Sequence, residues 1–156
     1  MDKIDKDILS ILQKEGRISI AELADKVNLS PSPCARRLKR LEEEDYIEDY
    51  QANLNKKRVG INMTFFVEVS LNRHQEKALE EFETALLAMK EVVNAHIVSG
   101  AFDYLIEVVT HDLPGYEAFT TKLHKIPSVK DIHTHLSVRQ LNTQRILPIY
   151  NTNHTN

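Results

Sequence analysis

The sequence predicts an α+β fold in two parts, a winged helix-turn-helix followed by a ferredoxin-like βαββαβ domain. Two observations carry this reading. Residues 1 to 50 hold three short segments with apolar positions at helical spacing, the third opened by Ser30-Pro31-Ser32-Pro33. From Met63 onward, β-rich and helical stretches alternate in the order β-α-β-β-α-β, the pattern of a four-stranded sheet with two helices on one face.

Composition bounds the rest. A length of 156 residues suits one medium domain or two small ones. Hydrophobic content of 42% with 28% charged residues describes a globular chain, not a disordered or fibrous one. No apolar run approaches the roughly 20 residues that span a bilayer, and Met1-Asp2-Lys3-Ile4-Asp5 lacks the apolar stretch of a secretory signal. The single cysteine, Cys34, has no intramolecular disulfide partner and suits a reducing compartment, so a cytoplasmic setting is expected. A net charge of −3 argues against a uniformly basic coat, but a nucleic-acid contact needs only a local basic patch. Residues 1 to 50 carry nine Lys/Arg and twelve Asp/Glu, and four of the nine cations fall between Arg36 and Arg40, directly before Glu42-Glu43-Glu44-Asp45. Charge is segregated along one helix.

Each early element follows from local signals. Ile4, Ile8, Ile11 and Leu12 form one stripe of a first helix, expected to end near Gly16 in a left-handed conformation. Ser19 followed by Glu22 has the form of a capping box for a second helix that carries Ala21, Leu23, Ala24 and Val27 and stops at Asn28. Pro31 then opens a third helix reaching about Glu44, since a proline in the first turn gives up only an unpaired N–H. Tyr46 to Ala52 alternates well enough for a short strand or β-wing. A helix-turn-helix over about residues 21–40 results.

The third helix carries the chemistry. Cys34, Leu38 and Leu41 make its inward stripe, with Cys34 read as a small core residue rather than a reactive thiol. Ser32, Arg36, Arg37, Lys39 and Arg40 then take the outward and flanking faces. Arginine can bond guanine O6 and N7 in bidentate fashion or grip phosphate, and serine can bond either. The expected DNA-binding set is Ser30, Ser32, Arg36, Arg37, Lys39 and Arg40, with Ser32, Arg36 and Arg37 at the bases and Lys39 and Arg40 at phosphates.

In the second part, Met63–Leu71, Val92–Ser99, Tyr104–Thr110 and Val129–Val138 read as strands. Gln75–Met89 has Leu79, Phe82, Leu86 and Met89 at helical spacing. Asp112 caps a further helix with Tyr116, Phe119 and Leu123, ended by Pro127. A sheet with one open face is expected to dimerise through it, pairing two DNA-reading heads. The expected domains are 1–52, a linker 53–62, 63–140 and a C-terminal extension 141–156, whose polar end Asn151–Asn156 is expected to fray.

These residues resemble the Lrp/AsnC family, the feast/famine regulators. Asp5-Lys6-Asp7-Ile8-Leu9 and Gly16-Arg17-Ile18-Ser19 are similar to its opening. Leu29-Ser30-Pro31-Ser32-Pro33-Cys34, Arg36-Arg37-Leu38 and Arg40-Leu41-Glu42 resemble its recognition-helix signature. Val98-Ser99-Gly100-Ala101-Phe102-Asp103-Tyr104-Leu105 is similar to its effector loop. The resemblance implies a ligand-sensing (RAM/ACT-like) second domain, a free amino acid bound between dimers, and dimers that assemble further, often to octamers of four dimers. It implies an effector site of Gly100, Asp103 and Tyr104, with Thr134, Leu136 and Ser137 opposite. Asp103 offers a carboxylate for an α-ammonium group, and Gly100 permits close backbone approach. Ala101 and His135 depart from the leucine-responsive pattern, so the amino acid stays open. No cofactor and no metal are expected. Two other readings remain, a tetrapyrrole decarboxylase-like enzyme of the same architecture and a stand-alone amino-acid-binding subunit. His133 and His135 share one strand face, two ligands where zinc needs three or four.

Overall fold

The structure is a computed structural model that describes residues 1–72, 76–141 and 146–150. The expectations for Gln75 and for Asn151–Asn156 lie outside the described residues. The chain divides into two compact units, Met1–Asn53 with Leu141–Asn156, and Leu54–Gln140.

In the first unit, helices α1 (Lys3–Leu12), α2 (Ile20–Lys26) and α3 (Pro31–Glu43) enclose Ile8, Leu23, Ala24, Val27, Cys34 and Leu41. The Ser19–Glu22 capping box is present, and Asn28 leaves α2 with φ 54°. Two expectations change. Helix α1 ends at Leu12 on a right-handed Gln13, so Gly16 is not its left-handed stop. Residues 46–53 form no strand: Asp45, with φ 57°, turns the chain out of α3, and no β-ladder forms before Met63. The alternation there had no neighbouring strand to pair with, and an unpaired segment is not a sheet. Leu147 returns to this unit, where its N–H donates to Gln13 Oε1 at 2.6 Å and its carbonyl accepts from Gln13 Nε2 at 3.2 Å.

The second unit is a four-stranded antiparallel sheet of β1 (Met63–Leu71), β2 (Val92–Ile97), β3 (Tyr104–Thr110) and β4 (Val129–Leu136), in the order β2-β3-β1-β4. Helices α4 (Glu76–Leu87) and α5 (Leu113–His124) complete the βαββαβ order. Asp112 caps α5 by accepting the Gly115 N–H at 2.9 Å. Alternation sorts β1 cleanly: Phe65, Val67, Val69 and Leu71 are buried, whereas Phe66 is exposed and Glu68 and Ser70 are half-buried. The buried set packs with Tyr104, Ile106 and Val108 of β3 against Phe82, Leu86, Tyr116, Phe119 and Leu123 of the helices. Phe82 and Phe119 are fully buried there, so truncating either to alanine removes roughly 3–5 kcal/mol.

Candidate functional site

Helix α3 has two sides of opposite character. Cys34 and Leu41 are fully buried and Leu38 packs against the same cluster. Burial pushes the Cys34 thiol up from its ordinary value, which favours the inert form. At about 100° per residue, Ser32, Arg36 and Lys39 fall opposite that stripe, and all three are exposed. Ser30 is the exposed N-cap, and its hydroxyl makes no cap hydrogen bond. A hydroxyl, a guanidinium and an ammonium thus line the outward face of a helix held from behind by its apolar stripe. This is a donor set suited to base edges and phosphates.

Arg37 and Arg40 are placed elsewhere. Arg37 Nη1 donates to Asp5 Oδ1 at 2.8 Å and to Asp2 Oδ2 at 2.6 Å. Arg40 Nη2 donates to Asp5 Oδ2 at 2.7 Å. The same Oδ2 accepts the Asp2 N–H at 2.9 Å, and Asp2 Oδ1 accepts the Asp5 N–H at 2.9 Å, a reciprocal capping box that opens α1. Asp5 is 1% exposed, whereas the Arg37 and Arg40 side chains are 27% and 47% exposed. A buried carboxylate survives only if its oxygens are paired, and both oxygens of Asp5 are. The Asp5 amide, then the Arg37 guanidinium, holds the Asp2 carboxyl below its ordinary value, and Asp2 and Asp5 hold Arg37 above its own. Sequence spacing groups Arg37 with Ser32 and Arg36 at the bases. The structure brings Ser32, Arg36 and Lys39 onto one face and ties Arg37 and Arg40 to α1. Spacing along the sequence gives no sign of Asp2 and Asp5 as partners, because they stand 32 to 35 residues away. The local signal was the wheel itself, which sets Arg37 only about 60° from Cys34.

In the sheet unit, Gly100 has φ 133° and nothing within 4 Å of where a Cβ would stand, so conformation rather than crowding favours glycine there. Asp103 is woven into the strand ends. Its Oδ2 accepts the Leu71 N–H at 2.8 Å, its N–H donates to Val69 O at 2.9 Å, and its carbonyl accepts the Val98 N–H at 2.9 Å. Tyr104 is 4% exposed, its ring against Phe82 at 4.8 Å and its hydroxyl donating to Glu83 Oε1 at 2.7 Å. Burial, then Glu83, raises its phenol well above the ordinary value. Thr134 lies opposite Val67, its hydroxyl bonded to that of Tyr116, whose ring stacks on Phe65 at 3.7 Å. Leu136 lies opposite Phe65 and is half exposed, and the Ser137 N–H donates to Thr64 O at 2.9 Å.

The register separates these residues into two groups. Val69 pairs with Tyr104 on one side and Ile132 on the other, whereas Phe65 pairs with Leu136. Four residues of strand, ~13 Å, therefore part the Gly100–Tyr104 end of the sheet from the Leu136–Ser137 end. One chain does not bring them together.

His133 and His135 each have a carboxylate neighbour. His133 Nε2 lies 3.1 Å from Asp131 Oδ2 and His135 Nε2 lies 3.2 Å from Glu68 Oε1. Among the described residues no group of three or more His, Cys, Asp or Glu is arranged to hold a metal ion. No helix among them is long and apolar enough to cross a membrane.

Comparison with known proteins places both units. Residues 1–48 match the winged helix-turn-helix DNA-binding family, and residues 64–147 match the Lrp/AsnC ligand binding domain. The chain is 38% identical to the leucine-responsive regulatory protein of Escherichia coli K12 over 150 residues, covering 96% of this chain and 92% of that protein. It is 43% identical to the proline dehydrogenase transcriptional activator of Rhizobium radiobacter over 135 residues, covering 86% of each. Among solved structures, a Neisseria meningitidis transcriptional regulator in complex with L-Met superposes with a TM-score of 0.92 at 32% identity, covering 95% of this chain and 96% of that one. An AsnC family regulator from Agrobacterium tumefaciens gives 0.90 at 33%, covering 95% and 97%.

Proposed function

Because the chain belongs to the Lrp/AsnC family of DNA-binding transcription regulators with an amino-acid-binding domain, we propose that it reads DNA through the outward face of α3 and answers to a free amino acid held between copies of itself. The observation that carries the DNA half is the exposed row of Ser32, Arg36 and Lys39 on a helix whose opposite stripe is buried. Ser32 and Arg36, in the first half of the helix, meet base edges, while Ser30 and Lys39 meet phosphate. Arg37 and Arg40 orient the helix.

The effector half rests on the split between Gly100–Tyr104 and Leu136–Ser137. A ligand touching both groups needs a second chain to supply one of them, so the pocket belongs to the assembly. Asp103 takes the α-ammonium group, backbone at Gly100 approaches the ligand, and Leu136 with the Ser137 hydroxyl closes the pocket from the neighbouring copy. Tyr104 and Thr134 serve it from behind, through main chain and packing. Dimers formed through the sheets, gathered to an octamer, generate such contacts repeatedly. The amino acid acts by binding one assembly state more tightly than another, which is the only way a ligand shifts an equilibrium.

Two measurements test this. Selection from a random duplex library by the full chain is expected to return a roughly two-fold symmetric site, and a pool without sequence preference would refute the DNA half. A thermal-shift screen of the twenty amino acids, followed by sedimentation with the hits, is expected to move both melting temperature and mass. A stabilising amino acid that leaves the assembly unchanged would refute the effector half.

A further inference from the structure

We infer that Asp5 determines specificity: by holding Arg40 and, with Asp2, Arg37 against α1 it fixes the face that α3 presents, and it also withholds these cations from phosphate. The inference rests on the reading of α3 as the helix that meets DNA. Arg37 and Arg40 stand three residues apart, so both guanidiniums project along one flank of α3. Each donates to the same carboxylate, at 2.8 and 2.7 Å and on opposite oxygens, while Asp2 takes Arg37 at 2.6 Å and Glu44 lies 3.9 Å from Arg40. The carboxylate is 1% exposed and both its oxygens are occupied, so its position is set by α1 and cannot drift with solvent. A two-point attachment of this kind fixes the roll of α3 about its own axis, which a single apolar stripe leaves softer.

The electrostatic consequence is separate. Affinity for any duplex grows with the number of cations laid on phosphate, whatever the sequence. Discrimination is the ratio of specific to nonspecific affinity; withheld phosphate contacts lower both terms alike, so the ratio depends on the base-reading face that Asp5 fixes. Two arginines neutralised from within add little to either term. The exposed cations on the outward face are then Arg36 and Lys39, and Lys39 is itself shared with Glu43 at 3.4 Å.

The test uses the full chain, the duplex that the wild type recovers from a random library, and a scrambled duplex of equal composition, each titrated across a salt series. In Asp5→Asn the slope of log K against log salt on the scrambled duplex is expected to steepen by about one, chiefly from Arg40 because Asp2 still pairs with Arg37, at roughly 0.9 per phosphate neutralised. The ratio of recovered to scrambled affinity is expected to fall about tenfold, the loss typical of one misplaced base contact. Adding Arg37→Gln and Arg40→Gln to Asp5→Asn returns the slope to its wild-type value. Unchanged slope and ratio in a folded Asp5→Asn protein would overturn the inference. A second arm does not depend on that variant folding. Arg37→Gln alone leaves the scrambled-duplex slope in place, whereas Arg36→Gln lowers it by about one. Equal reductions from the two would overturn the inference as well. A wild type that discriminates while these variants behave alike sinks only the role of Asp5, whereas a wild type with no preferred duplex sinks the DNA reading and this inference together.

Discussion

Asp103 Oδ2 accepts the N–H of Leu71 at 2.8 Å, so the carboxylate proposed to take an effector's ammonium group is also part of how β1 ends. The proposed ligand role and the observed strand-end role separate by choice of replacement. Asp103→Ala removes both the charge and the acceptor, and is expected to cost about 1–2 kcal/mol of stability together with the amino-acid response. Asp103→Asn keeps an oxygen for the Leu71 amide but has no charge for an ammonium group. It is expected to melt near the wild-type temperature while losing the ligand-induced thermal shift. An Asn variant with an intact ligand titration would confine Asp103 to the strand end.

Neighbouring arginines on α3 should behave unlike each other. Arg36 is exposed, and Arg37 is bound to Asp2 and Asp5. Arg36→Ala is expected to lose about 1–3 kcal/mol of affinity for the selected duplex and to relax preference at one base position, with the melting temperature unmoved. Arg37→Ala is expected to lower the melting temperature, because it strips one partner from a carboxylate that is 1% exposed. Arg40 and the Asp2 N–H still compensate the buried charge, so the expected loss is about 1–2 kcal/mol, below that of a fully unpaired buried carboxylate. Chemical denaturation beside duplex titration separates the two outcomes. If Arg36→Ala destabilised and Arg37→Ala left stability intact, the division of labour on α3 would be reversed.

That division marks where the sequence was informative. Capping at Ser19 and Asp112, the proline that opens α3 and the alternation of β1 are local signals, and each element stands where its signal put it. The first-helix stop at Gly16 and the wing at 46–52 failed for one reason. A glycine or an alternating run permits a conformation, but only hydrogen-bond partners select it, and Asp45 rather than a paired strand decides the path after α3. Outward faces could be read from helical spacing, which gave Ser32 and Arg36. The partner of Arg37 could not, since Asp5 meets it only after three helices have packed. Tyr104 shows the same limit. Its place in the loop motif was plain, but which face of β3 it takes was set by pairing with Val69, and that face is the core.

Tyr104→Phe tests that placement. The ring contact with Phe82 survives the change, and only the bond from the hydroxyl to Glu83 Oε1 at 2.7 Å is lost. Stability is expected to fall by about 1 kcal/mol, as for one hydrogen bond to a charged partner in a half-buried setting. Ligand affinity should stay within twofold of the wild type. A variant of wild-type stability with weakened amino-acid binding would instead bring the phenol into the pocket.

Acid sensitivity should trace to the α1 cap. Asp2 has its carboxyl held below the ordinary value of 3.8, by the Asp5 amide first and Arg37 second. A depressed carboxylate contributes stability above its unfolded value and loses it as pH falls through the folded one. Asp2→Asn retains an oxygen for the Asp5 N–H but has no charge for Arg37. The wild type is therefore expected to melt above Asp2→Asn at pH 6, and the gap should close as the pH is taken from about 4 downward. Protonation of other carboxylates, including Glu22 with its Ser19 bonds, lowers both curves alike and drops out of the difference. Paired melting curves between pH 2 and pH 7 read the effect directly. A gap of constant size down to the lowest pH would show that the charge on Asp2 contributes nothing and that the cap acts through geometry alone.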